Sequence, residues 1–131
     1  MNHKLQKKLY EKYPKIFAQK NLSMKETAMC WGIECGDGWY WLIDNLCRQL
    51  QWDIDNNGQE QIEAVQVKEK YGGLRFYNDG SSDTQEAMIT FAEALSNGIC
   101  ETCGSTQEIL QTEGWIKTIC KDCMDKLRIE D

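Results

Sequence analysis

Residues 100–123 read CETCGSTQEILQTEGWIKTICKDC, and the cysteine spacing in this stretch sets how the chain is built. Cys100-x2-Cys103 is followed by sixteen residues and then Cys120-x2-Cys123. Two such pairs at this separation fit a structural zinc site, because four thiolates suit a soft, tetrahedral ion. They also fill every coordination position, whereas a catalytic zinc keeps one open. Gly104 directly follows the first pair, where a tight turn lets backbone N–H groups point at sulfur. Ile109, Leu110, Trp115 and Ile116 predict a short hairpin turning at Glu113-Gly114. From Cys120, CKDCMDKLRI reads as a helix with the second pair in its first turn, where thiol pKa values are lowered. Knuckle, hairpin and helix in that order predict a treble-clef-like module around one structural Zn2+. A redox-active CxxC pair, an iron–sulfur site and a pair of disulfides compete with this reading. Two pairs beside a glycine suit the closed metal site better. The one histidine, His3, lies far from the cysteines in sequence and is a poor ligand candidate.

Upstream, Thr84, Ala87, Met88, Phe91, Ala94 and Leu95 trace one helical stripe. Ser82 and Gln85 form a capping box at its start, and Asn97-Gly98 supply the stop. This helix runs straight into Cys100, so the zinc module is expected to pack on the rest of the chain. Before it, Ile62, Ala64, Val65 and Val67 suggest a strand, Gly72-Gly73 a turn and Leu74 to Tyr77 a return strand. Trp39, Leu42, Ile43, Leu46, Cys47 and Leu50 give an amphipathic helix to cover that hairpin, with Asp37 or Gly38 near its start. Asp53 to Gln59 reads as a polar connection, and AMCWGIECGDG at 28–38 as a glycine-rich loop. Leu5, Leu9 and Tyr13 form the stripe of a short lysine-rich helix that stops near Pro14.

The fold class is therefore α+β: helices on a small antiparallel sheet or hairpin, with a C-terminal treble-clef-like zinc module built on four cysteines. Three parts follow: a basic helical arm (1–27), an α+β core (28–98) and the zinc module packed on it (99–131).

Charge is unevenly divided. Residues 1–25 carry +6, residues 26–98 carry −9 and residues 99–131 carry −3, for a net −6. A nucleic-acid binder normally presents a basic face, and here the arm with Lys117, Lys121 and Lys126 is the candidate source. No apolar run is long enough to span a bilayer. The N-terminus lacks a secretory h-region, and seven cysteines suit a reducing compartment, so a cytoplasmic location is expected. Cys30, Cys35 and Cys47 read as small buried hydrophobes, since a second metal site would need a fourth ligand.

Three blocks carry a resemblance: GIECGDGWYWLIDNLC at 32–47, VKEKYGGLRFY at 67–77, and the CETCG…GWIKTICKDC tail. Together they resemble a family of small uncharacterised proteins encoded by bacteriophages and prophages. The likeness covers most of 28–127, with Gly36 to Trp39, Lys70 to Tyr77 and all four tail cysteines matching. It implies a genetic setting, the host cytoplasm, and an accessory role directed at a host or phage protein as inhibitor or modulator.

The leading functional expectation is protein binding, with Asp37, Trp39, Tyr40, Trp41, Trp52, Tyr71, Arg75 and Tyr77 as contact candidates in an acidic field. The alternatives are nucleic-acid binding through the arm and zinc-module lysines, and a small enzyme using Glu34, Asp37 and Arg75. No Walker A loop, dinucleotide fingerprint or HExxH is present. Cys35 has no identifiable base, so catalysis is not expected.

Overall fold

The computed structural model describes residues 1–130. The elements are α1 (His3–Lys12), β1 (Ile33–Glu34), α2 (Tyr40–Asn57), β2 (Ala64–Lys70), β3 (Gly73–Asn78), α3 (Asp83–Ser96), β4 (Ile109–Gln111), β5 (Thr118–Cys120) and α4 (Lys121–Glu130). The architecture is α+β, with helices against two small sheets ordered β1-β2-β3 and β4-β5.

β2 and β3 form the expected antiparallel hairpin, but its turn is Tyr71-Gly72 rather than Gly72-Gly73. Both turn residues have positive φ (52° and 80°), the backbone of a type I′ connection whose twist matches the flanking strands. Gly73 instead opens β3. The loop expected over 28–38 also contributes a strand. β1 pairs parallel to β2, placing Ile33 beside Val67 and Glu34 beside Lys68. Two residues are too few to leave an alternation pattern, so nothing in the sequence marks them as a strand.

α2 continues to Asn57 and ends at Gly58 in the left-handed region, absorbing most of the predicted polar connection. The extension has a polar anchor. Asp53 is buried, and its carboxylate accepts from Asn57 Nδ2 (2.6 Å) and Gln85 Nε2 (3.2 Å). Asp44 is likewise buried. It accepts from Lys12 Nζ and the Tyr13 hydroxyl (both 2.6 Å) and from Arg48 (3.4 Å). These bonds tie α1 to α2. Burial opposes the carboxylate charge, but Lys12, Tyr13 and Arg48 together hold the Asp44 pKa below its ordinary value.

The basic N-terminal segment is built into the main core. Leu9, Ile16 and Phe17 are fully buried beside Trp39, Ile43 and Leu50. The core also takes in Val67, Leu74 and Phe76 from one face of the three-stranded sheet.

α3 departs from its predicted orientation. The capping box between Ser82 and Gln85 is present, but the buried face is Gln85, Ile89, Ala92 and Ser96. Phe91 stands 66% exposed and Leu95 is exposed as well. The edge of β3 explains the rotation: Leu74 N–H donates to Ser96 Oγ and Phe76 N–H to Glu93 Oε2, each at 2.9 Å. Satisfying those donors takes precedence over hiding the apolar stripe, because an unmatched buried N–H costs about 1–3 kcal/mol. No helix among the described residues is long and apolar enough to cross a membrane.

Candidate metal centre

The chain after α3 leads into a turn in which Gly104 N–H donates to Cys100 O and Cys100 N–H to Ser105 O, each at 2.8 Å. That turn carries Cys100 and Cys103. Cys120 closes β5, and Cys123 lies in the first turn of α4. All four Sγ atoms fall within 4.8 Å of one another, and Cys103 and Cys120 are 3.7 Å apart. Tetrahedral thiolates at the usual Zn–S length are separated by about 3.8 Å, so the cluster is suited to a single structural Zn2+. Cys100, Cys120 and Cys123 are buried, leaving Cys103 on the solvent side.

Electrostatics points the same way. Burial raises the Cys100 thiol, but the Cys120, Cys103 and Thr102 backbone N–H groups outweigh it and bring the pKa down to about 6. Burial, then the neighbouring sulfurs, push Cys123 up to about 12. At Cys103 the Ser105 N–H favours the thiolate, yet burial and the adjacent thiols leave its pKa raised. The lowered thiol of the cluster is thus Cys100, in the knuckle. Crowded thiols cannot all ionise unaided, whereas a divalent ion at their centre stabilises each thiolate.

The module is a treble-clef-like unit seated on the core at two glycine sites. At the first, Gly38 N–H donates to Glu101 O (2.8 Å), and Gly36 N–H donates to Glu101 Oε2 (2.8 Å). A Cβ at Gly38 would overlap Cys100 O and lie 2.6 Å from Gly104 N; one at Gly36 would overlap Glu101 O. At the second, Thr118 Oγ1 donates to Gly72 O (2.6 Å), and a Cβ at Gly72 would sit 3.0 Å from Ile116 Cγ2. The two glycine blocks therefore act as receiving surfaces for the cysteine block. Glu101 and Thr118, both buried, carry these contacts. Sequence reasoning passed over them because neither has a recognisable spacing signal.

The contact candidates divide. Trp39 is corrected outright: it is fully buried, and its Nε1–H donates to Ile99 O (2.9 Å), so it fastens the knuckle to the core and offers no surface. Tyr40 is half-buried, while Trp41, Trp52, Tyr71 and Tyr77 are exposed. Asp37 does not cap α2. Its carboxylate accepts from Asn2 N (2.8 Å) and Asn2 Nδ2 (2.9 Å), and Asn2 in turn caps α1.

Glu34, Asp37 and Arg75 are not joined by hydrogen bonds or ion pairs among the described residues. Arg75 donates to Leu74 O (2.9 Å), and Glu34 sits beside Lys68 in the sheet. Cys35 and Cys47 are buried, and burial pushes the Cys35 thiol up to about 12, so it is protonated at neutral pH. Cys30 is half-buried. Of the basic residues assigned to a nucleic-acid face, Lys12 is engaged by Asp44.

Comparison with known protein families, with curated proteins and with solved structures finds no match for this chain.

Proposed function

We propose that this zinc-stabilised protein works by binding another protein through the outer face of α2, as a phage-type accessory factor that inhibits or modulates a host or phage protein. The observation that carries this reading is the pair Trp41 and Trp52, which are 66% and 55% exposed on one helix. Eleven residues apart, they point within about 20° of the same direction and stand about 16 Å apart along the axis. Two large rings left in water three turns apart are costly unless something covers them, and tryptophan is the residue most enriched at binding hot spots. Trp41 and Tyr40 also border a cleft of about 370 Å³ with Leu5, Gly38 and Thr106, room for an anchoring side chain. The acidic surplus of residues 26–98 adds a long-range attraction for a basic partner.

The test uses the wild-type protein and the Trp41→Ala/Trp52→Ala double variant side by side as bait in host lysate, followed by titration of any retained protein after purification. A protein held stoichiometrically by the wild type and bound roughly 30-fold or more weaker by the double variant supports the reading. Equal retention by both, or no stoichiometric partner, overturns it.

A further inference from the structure

The face of the β2–β3 hairpin turned away from the core carries a different chemistry. Strand register sets Lys68 opposite Arg75 and Gln66 opposite Tyr77, with Lys70 at the end of the same row. Alternation places these residues together on one side, while Val67, Leu74 and Phe76 enter the core on the other. Residues 26–98 contain only four basic residues against thirteen acidic ones, and three of the four, Lys68, Lys70 and Arg75, occupy this face. None of the three is in an ion pair among the described residues. The acids bordering the row are Glu34, beside Lys68 on β1, Glu26, at the rim of the shallow groove along the row, and Glu69, which lines the cleft at the Tyr71 end but is in no ion pair with either lysine.

Aromatic rings bracket the cations. Tyr77 lies at one end, in the groove shared with Lys68 and Lys70. At the other end Tyr71 and Trp115, 72% and 83% exposed, border a cleft of about 280 Å³ that the same two lysines also line. Lys68 and Lys70 thus join two concavities into one track with a ring at each end. Tyr71 adds a separate signal. It holds φ at +52°, a conformation that a bulky residue adopts at a cost and that asparagine or glycine supplies readily in a type I′ turn. Its ring stands in solvent with Lys70 Nζ 5.8 Å from the centroid, so packing does not explain a tyrosine there. Strain retained at an exposed aromatic is a feature of binding surfaces.

We propose that this hairpin face binds single-stranded nucleic acid, with Lys68, Lys70 and Arg75 contacting phosphates and Tyr77, Tyr71 and Trp115 stacking on bases. A line of cations with flanking exposed rings is what an unpaired strand requires, since every base offers a face to stack and every linkage a negative charge. A duplex hides its base faces, and an acidic peptide such as polyglutamate has no rings to stack, so neither would use both halves of the track. This surface is separate from the α2 face, because the opposite side of the sheet and the inner side of α2 share the main core.

The test is fluorescence anisotropy of the zinc-loaded full chain with labelled oligothymidylate and oligouridylate of about twelve nucleotides, a matched duplex and a labelled polyglutamate. Expected is binding of a single strand at about 50 mM salt, with log K falling against log[salt] at a slope near −2, about −0.7 for each of three phosphates. Lys68→Glu/Lys70→Glu should lower affinity by at least about tenfold and flatten the slope. Tyr77→Ala should lower it roughly five- to hundredfold with the slope unchanged, a response that charge alone would not give. These side chains are on the surface, so circular dichroism of the variants should match the wild type. Four results would each overturn the proposal: no binding of either single strand, duplex binding as tight, polyglutamate binding as tight, or full affinity in the lysine double variant.

Discussion

Up to Ile99 the chain buries Leu9, Phe17, Trp39, Ile43, Leu50 and Phe76 in one continuous core, whereas the tail's buried cluster is Cys100, Ile119, Cys120 and Cys123. Three of those four tail residues are metal-ligand candidates, which leaves Ile119 as the only fully buried apolar side chain among them. Burying one isoleucine contributes about 1.5–3 kcal/mol. So little apolar burial does not hold the tail by itself, and coordination of a metal by four thiolates is the further source of stability its residues provide. The core is held by packing and the tail by coordination, with the glycine seats as the joint between them.

The largest effect should come from breaking the coordination. Zinc removal by a strong chelator, or Cys120→Ser, is expected to abolish amide protection across residues 100–128, while α2, β2 and β3 stay protected. Hydrogen exchange read segment by segment checks this, with elemental analysis expected to give one zinc per chain before treatment. A tail still protected without metal would mean that its few packed residues hold it after all, and the contrast with the core would disappear.

Next is the joint itself. At Gly38 the obstacle to a Cβ is Cys100 and Gly104 backbone, which cannot swing aside. Gly38→Ala is expected to cost about 3 kcal/mol in urea unfolding, at the upper end of overpacking effects. Gly58 has a positive φ of 66° but open space around it, so Gly58→Ala should cost only about 1 kcal/mol of backbone strain. Equal costs at the two positions would show that the seat yields.

Within the core, the sharpest polar dependence is at Asp44. Its folded pKa lies below its unfolded value, so it contributes stability above about pH 4 that is lost as pH falls through the folded value. Asp44→Asn should cost about 2 kcal/mol at pH 7, a discounted figure because Lys12 and Arg48 are partly solvated. The gap between variant and wild type should narrow as the pH is lowered toward 3 in matched urea titrations. A gap that stays constant would mean that Asp44 acts through shape rather than charge.

These contrasts follow what could be read from the chain. Cysteine spacing is a local code, so the ligand set and the knuckle–hairpin–helix order were legible, as was the α+β class from the helix and hairpin patterns, although the second tail strand falls at Thr118–Cys120 and not at Trp115-Ile116. So was the capping box at Ser82 and Gln85, which is complete within four residues. What escaped depends on partners distant in sequence. Trp39 looks like a contact residue until Ile99 arrives to accept its N–H. Gly36 and Gly38 look like loop flexibility until Glu101 and Cys100 press against them. Asp37 resembles a helix cap until Asn2 takes both its oxygens. β1 is too short to carry a pattern and exists because β2 offers a free edge.

The smallest effect tests the plainest misreading, the direction α3 faces. Hydrophobicity alone would rank Phe91 as a core residue and Ser96 as a surface one, but the structure reverses them. Ser96 is fully buried, and its hydroxyl accepts from Leu74 N–H while donating to Glu93 O (2.5 Å). Ser96→Ala strands a buried β-edge donor and should cost about 1 kcal/mol or more. Phe91→Ser removes a ring that stands mostly in water and should change stability by less than about 0.5 kcal/mol. Deleting a serine is thus expected to harm this helix more than deleting a phenylalanine, as judged by paired thermal or urea unfolding. If Phe91→Ser instead cost several times more than Ser96→Ala, the apolar stripe would have to be packed against something, and the hydrogen-bonded edge of β3 would not be what sets the helix's rotation.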